Sequence, residues 1–187
     1  EASGALEPVE RQDRFEEGDL PDLSSIGYEC LEKIGEGGMG TVFKVEHQLM
    51  QRISAVKILK KSFSEDKIRF ERFLIEARSL AKLNHENILK IFDVKNIDDL
   101  TLMILEYIEG KTLIDVLREY EKLPPEQAFD YLHQCAQGLG EAHAVGIIHR
   151  DIKPGNLILE GDVVKIADFG LARSVAAEVG VTRVGQL

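Results

Sequence analysis

"HRDIKPGNLILEGDVVKIADFGLA", residues 149–172, crowds a His, an Arg, three Asp, two Lys and an Asn among apolar runs. The apolar pieces "NLILE" and "VVKIAD" read as two short strands, separated by the turn Gly161-Asp162. The polar groups Asp151, Lys153 and Asn156 therefore precede a strand, and Asp168 follows one. Loop positions held by regular elements are where binding and catalytic groups concentrate.

Upstream, the pattern supplies a scaffold. "YECLEKIG", "TVFKVEH", "RISAVKILK", "ILKIFDV" and "LTLMILEYI" read as strands from their alternating or β-branched residues. Between the third and fourth lies a predicted helix, with Ser64 as N-cap and Ile68, Phe73, Ile75, Leu80 and Leu83 as its apolar positions. Beyond Gly110, "TLIDVLREYEK" and "PPEQAFDYLHQCAQGLGEAHAVG" read as helices, the second opened by Pro and closed near Gly146. "GEGGMG" places Gly35, Gly37 and Gly40 in a G-x-G-x-x-G. Such glycines let backbone N–H groups approach phosphate oxygens, although a flexible hairpin turn has the same composition. Strand-forming "TVFKV" follows rather than a helix, which disfavours a dinucleotide fingerprint, and there is no G-K-[ST] of a P-loop. Lys57 ends a strand-like run. It is either a solvated strand-end lysine or one partner of an ion pair with Glu76 on the next helix. Glu71 is another acid there, on a different face.

The formal charge of −10 over 187 residues argues against a nucleic-acid or anionic-membrane binder, because both need a basic surface. No apolar run reaches the length of a bilayer span. Residues 1–27 carry eight acids and two bases and no sustained period, and are expected to be a mostly disordered acidic leader, the alternatives being a short docked piece near Phe15 or Leu20 or a folded cap. Cys30 and Cys135 have no metal-ligand spacing and read as thiols in a reducing, cytoplasmic setting.

"HRDIKPGN" with "ADFG", preceded in order by the glycine loop, "AVK" and a helix acid, matches the signature set of protein kinases. Residues 28–187 resemble the eukaryotic-type protein kinase family, with "GEGGMGTVFK" and "HAVGIIHRDIKPGNLIL" most like its bacterial Ser/Thr branch. The resemblance implies an α+β, two-lobe fold. Residues 28–108 would be a five-stranded N-lobe with helix C and the hinge, and residues 109–187 the first part of a mainly helical C-lobe. ATP and Mg2+ would be the cofactors, and a protein Ser or Thr hydroxyl the acceptor. Gly35, Gly37 and Gly40 would cover the phosphates. Val42, Ala55 and Ile158 would sandwich the adenine, and backbone groups of Glu106 and Ile108 would bond its edge, with Leu105 as gatekeeper. Lys57, paired with Glu76, would contact the α- and β-phosphates. Asp151 would accept the hydroxyl proton, Lys153 would steady the γ-phosphate, and Asn156 and Asp168 would hold the metal. Leu80, Ile91, His149 and Phe169 would form an apolar column between the lobes, so that His149 is structural. Arg150 would read a phosphate on the segment containing Ser174 and Thr182.

The family pattern continues beyond Leu187, through an A-P-E-type element and further helices. A shortened C-lobe is expected to leave the apolar face of "AFDYLHQCAQGL" partly uncovered and to weaken activity. The rival reading is a non-catalytic nucleotide-binding or interaction module derived from a kinase. A small-molecule phosphotransferase lacks support from "DIKPGN" and "DFGLA". Substrate, activating signal and oligomeric state are not legible in these residues.

Overall fold

The strand-forming runs after Tyr28 pair into one antiparallel sheet. The computed structural model describes residues 20–97 and 99–169. In it β1 (Tyr28–Glu36), β2 (Gly40–His47), β3 (Arg52–Leu59), β4 (Ile91–Ile97) and β5 (Leu100–Glu106) lie in the order β1-β2-β3-β5-β4. β3 is central, and every residue from Ser54 to Leu59 is buried. Lys57 stands opposite Val42 of β2 and Met103 of β5, so its backbone is held from both sides.

The single helix expected after β3 is two. α1 (Lys61–Ser64) is one turn, and α2 (Lys67–Leu80) follows a break at Glu65-Asp66. Ser64 does not cap α2. It ends α1, its hydroxyl donating to the Lys61 carbonyl at 3.0 Å, because a serine side chain competes for backbone partners. The buried face of α2 also differs from expectation. Phe73, Ala77 and Leu80 face inward at i, i+4 and i+7, while Ile68 and Ile75 are 66% and 61% exposed. Ile68 and Ile75, seven apart, share a stripe roughly 140° from Phe73 at about 100° per residue.

The second part holds β6 (Lys111–Thr112), α3 (Leu113–Tyr120), α4 (Pro125–Ala144), β7 (Leu157–Glu160) and β8 (Val163–Ile166), with the strands in a three-stranded sheet of order β6-β7-β8. Thr112 caps α3, its side chain accepting from the Asp115 N–H at 3.3 Å. Gly146, at φ +79°, closes α4 as the sequence suggests. The face of α4 carrying Phe129 and Leu132 is open, at 73% and 65% exposure.

The two parts are joined at β8. Ile166 N–H donates to the Asn87 carbonyl at 2.9 Å, and Leu89 N–H donates to the Ile166 carbonyl at 3.0 Å. The buried Asn87 amide donates to Val164 O at 2.9 Å and to Gln134 Oε1 at 3.0 Å. Gly138 allows α4 to come this close, since a Cβ there would lie 3.0 Å from Ile166 Cδ1 and 3.1 Å from Asn87 O. One buried cluster therefore runs from Ala55, Phe73 and Leu80 through Ile166 to Tyr131 and Cys135. Leu80, Ile91, His149 and Phe169 are all buried, and the rings of His149 and Phe169 are 4.7 Å apart.

The expected leader needs correcting at its end. Leu23 is buried against Tyr28, Phe43 and Val45, and Ser24–Ile26 form a 3-10 turn that Gly27 closes at φ +80°. Burial of a leucine is worth about 1.5–3 kcal/mol, enough to dock a short segment. Residues 1–19 of that leader, with Ser174 and Thr182, lie outside the described residues. Both cysteines are free thiols.

Replacing Asn87 by Ala takes its donor from the Val164 carbonyl, while Gln134 Oε1 keeps the Val164 N–H. A loss of about 1–3 kcal/mol in unfolding free energy is expected, measured by urea titration. An unchanged midpoint would show that this amide does not join the two parts.

Candidate active site

A cleft with a cavity of about 620 Å³ opens between the five-stranded sheet and the β7–β8 hairpin. That volume lies within the range of small-molecule and cofactor sites. The turn between β1 and β2 supplies Gly35, Gly37 and Gly40 as its roof, with Val42 and Ala55 behind them. Ile158 of β7 lies on the opposite wall, and Glu106 and Ile108 line the connection between the two parts. Lys57, Asp151, Lys153, Asn156 and Asp168 line the same cavity. Glu76 does not.

The three glycines differ in what holds them. At Gly40 a Cβ would collide with the backbone of Ile58 in the adjacent strand. At Gly35 it would meet only Val42 Cβ, at 3.9 Å, and at Gly37 it would meet nothing. Gly37 N–H donates to the Gly40 carbonyl at 2.9 Å, closing the turn. Packing thus explains Gly40, whereas the fold alone does not demand glycine at position 37.

The ion pair expected between Lys57 and Glu76 is not formed. Lys57 Nζ lies 2.5 Å from Asp168 Oδ1, with the lysine side chain buried and the aspartate half exposed. Both strands flanking β3 fix Lys57, while Glu76 depends on where α2 sits. Burial pushes the Glu76 carboxyl above the usual glutamate value, against the opposing pull of Arg150 and Arg72.

Asp151 is held from several directions. Lys153 Nζ is 2.8 Å from Asp151 Oδ2, and the Asn156 amide donates to the Asp151 carbonyl at 2.8 Å and to Oδ2 at 3.3 Å. Asp151 N–H donates to His149 Nδ1 at 3.3 Å. With Nδ1 accepting, Nε2 carries the proton and donates to Ala167 O at 3.0 Å. Both bonds suit a neutral imidazole, and burial holds His149 below the usual histidine value of 6.5. His149 thus ties the Asp151 loop to the residue before Asp168. Arg150 and Asp168 have φ of +62° and +51°. Left-handed backbone at non-glycine residues is uncommon and recurs at functional sites.

The donor set fits a hard divalent cation. Asn156 spends its amide nitrogen on Asp151, which leaves the amide oxygen as the ligand atom such ions take, and Asp168 adds a carboxylate. Among the described residues no group of three or more His, Cys, Asp or Glu could hold a metal alone. A site of one carboxylate and one amide suits Mg2+ bound jointly with phosphates. Leu89, Met39, Tyr107 and Thr112 also line the cavity, and the sequence reading did not assign them. Met39 sits within the quoted glycine loop, so its position carried a signal. The others become neighbours only through the fold.

Residues 28–186 match the family model described as "Protein kinase domain". A probable serine/threonine-protein kinase of Clostridium perfringens is 44% identical over 149 residues, 79% of this chain and 22% of that protein. The serine/threonine-protein kinase PrkC of Bacillus subtilis is 36% identical, over 80% of this chain and 23% of its own length. The kinase domain of PknI from Mycobacterium tuberculosis superposes with a TM-score of 0.72 at 28% identity, covering 79% of this chain and 59% of that one. The chain thus spans about a quarter of the length of these curated relatives.

Two predictions arise from this geometry. Gly37→Ala is expected to leave the thermal midpoint within about 2 °C, since its Cβ meets nothing and ordinary surface changes are small. It should weaken ATP binding more than adenosine binding, by calorimetry, if this turn approaches phosphates. Equal loss for both ligands would count against that. The second concerns pH. An imidazole held neutral in the fold takes up a proton on unfolding, so stability is full above about pH 6.5 and declines as pH falls below it. Unfolding free energy should drop between pH 7.5 and 5.5, and His149→Phe should flatten that part of the profile. An identical slope in the variant would remove His149 from the explanation.

Proposed function

The chain belongs to the protein kinase family, and from that premise we propose that it is the catalytic region of a serine/threonine protein kinase. The observation that carries this reading is the convergence of Lys57, Asp151, Lys153, Asn156 and Asp168 on one cavity roofed by Gly35, Gly37 and Gly40. ATP with Mg2+ supplies the phosphoryl group and the neutralisation of its charge. Val42, Ala55 and Ile158 offer an apolar slot for the adenine, and backbone groups of Glu106 and Ile108 its polar edge. Asn156 and Asp168 are the residues that would hold the cation.

Asp151 accepts the proton of a protein Ser or Thr hydroxyl at its carboxylate. The bonds from Lys153 and Asn156 orient that carboxylate. Lys153 also brings positive charge to the transferring end of the cavity. Lys57 is set to grip the α- and β-phosphates once it leaves Asp168, with Glu76 as its new partner. In this division residues 28–108 act as the N-lobe and hinge and residues 109–187 as C-lobe, with the cytoplasm as the setting. Among the described residues no helix is long and apolar enough to cross a membrane.

The test is phosphotransfer from ATP to a Ser/Thr-containing protein, by the protein carrying this chain. Asp151→Asn is expected to lower kcat by at least about 100-fold, the scale of a lost general base. Asp168→Ala should make ATP affinity independent of Mg2+. Turnover unaffected by Asp151→Asn would sink the assignment, and ATP bound without turnover in the wild type would favour a binding module.

A further inference from the structure

The side chains of Lys165 and Glu106 form a contact that the reading above does not use, since it draws only on the Glu106 backbone. Lys165 stands in the middle of β8 and is only 9% exposed, between Val164 and Ile166, which are fully buried. Its Nζ lies 3.2 and 3.3 Å from the two carboxylate oxygens of Glu106. Glu106 ends β5 and begins the connection between the two parts. The same carboxylate accepts the Lys90 N–H at 3.2 Å, and Glu106 N–H donates to the Lys90 carbonyl at 2.9 Å. A small cavity of about 230 Å³ adjoins the pair.

The register shows what the pair spans. Lys165 is directly opposite Ile158 on β7, and directly opposed residues of an antiparallel pair share a face. Ile158 lies on one wall of the main cavity. Glu106 is opposite Ser54 on β3, one step from the pairing of Leu105 with Ala55, which lies on the other wall. The ion pair therefore ties the end of β5, next to one wall, to the β7–β8 hairpin that carries the other. Packing does not require a charge here. A buried ion pair usually contributes no more stability than apolar residues of like size, while each charge carries a large desolvation cost. What a paired lysine adds over a methionine is a fixed distance and direction to its partner.

We infer that Lys165 and Glu106 are a positioning pair that sets the width of the adenine slot between Ala55 and Ile158. This rests on the kinase reading, because it presumes that the slot takes an adenine. Loss of either charge lets β5 and the β7–β8 hairpin shift relative to each other, and the slot no longer fits a flat ring.

Adenosine is the probe, since it fills the slot without engaging Lys57 or Asp168. Lys165→Met and Glu106→Gln are each expected to weaken adenosine binding by calorimetry about tenfold, a typical size for coupled neighbours. The double variant should be no weaker than the worse single one, and Lys165→Arg should recover most of the affinity. The urea midpoint of Lys165→Met should equal or exceed that of the wild type, which separates positioning from simple loss of structure. Adenosine affinity within twofold of wild type in a folded Lys165→Met protein would overturn the inference, as would additive losses in the double variant. If Lys165→Met fails to fold, Glu106→Gln with Lys165→Arg decides by the same criteria. A wild-type protein that binds Mg-ATP and adenosine while the variants are unaffected sinks this inference alone. A wild type that binds neither sinks the kinase reading and this inference with it.

Discussion

The backbone of Ile166 carries the architecture. Its N–H and its carbonyl are both engaged by the loop between α2 and β4, through Asn87 and Leu89. A strand of four residues thereby belongs to two units at once. β7 pairs with it on one edge, and the loop of the five-stranded sheet reaches it on the other. Two residues further on stands Asp168. The position of that carboxylate relative to Lys57 is thus fixed by two hydrogen bonds about 3 Å long rather than by side-chain packing. The left-handed backbone at Asp168 is affordable in such a frame, because neighbours on both sides leave the chain little alternative.

Charge in the cavity is arranged in pairs. Asp168 faces Lys57 and Asp151 faces Lys153, in a chain whose overall charge is −10. Each acid is thereby compensated locally, which lessens the repulsion that two carboxylates and a polyphosphate would otherwise meet. The two pairs differ in kind. Lys57 is buried and Lys153 is more than half exposed, so the first pair is weakly screened and the second strongly screened.

Much of this was legible in the residues. The glycine turn, Lys57, Asp151, Asn156 and Asp168 stand in motifs whose spacing is local, and each landed in the cavity. Five strands and their order of appearance followed from alternation and β-branching. What failed depends on tertiary context. Ile68 and Ile75 have helical spacing, but spacing alone does not say which stripe faces inward; Phe73 and Ala77 won through their contact with the sheet. Ser64 looked like a cap because serine bonds backbone at either end of a helical turn. Leu23 is one apolar residue in an acidic stretch, and its burial depends on Tyr28 and Phe43, which no local pattern connects to it. Lys165 was invisible for the opposite reason. A lysine in a four-residue strand reads as solvated until the fold brings Glu106 to it across 59 residues.

The unformed contact between Lys57 and Glu76 has a structural cause in how each is anchored. Lys57 belongs to a central strand with hydrogen-bonded neighbours on both edges, and Asp168 follows a strand bonded on both of its edges. Glu76 is carried by a helix that packs on the core through side chains, Phe70, Phe73, Leu74, Ala77 and Leu80 among them. The helix break at Glu65-Asp66 further separates α2 from β3. Side-chain packing lacks the directionality of a backbone ladder, so among the three charged groups Glu76 sits on the element least tightly referenced to the others. Burial raises the titration of the Glu76 carboxyl, against the opposing pull of Arg150 and Arg72.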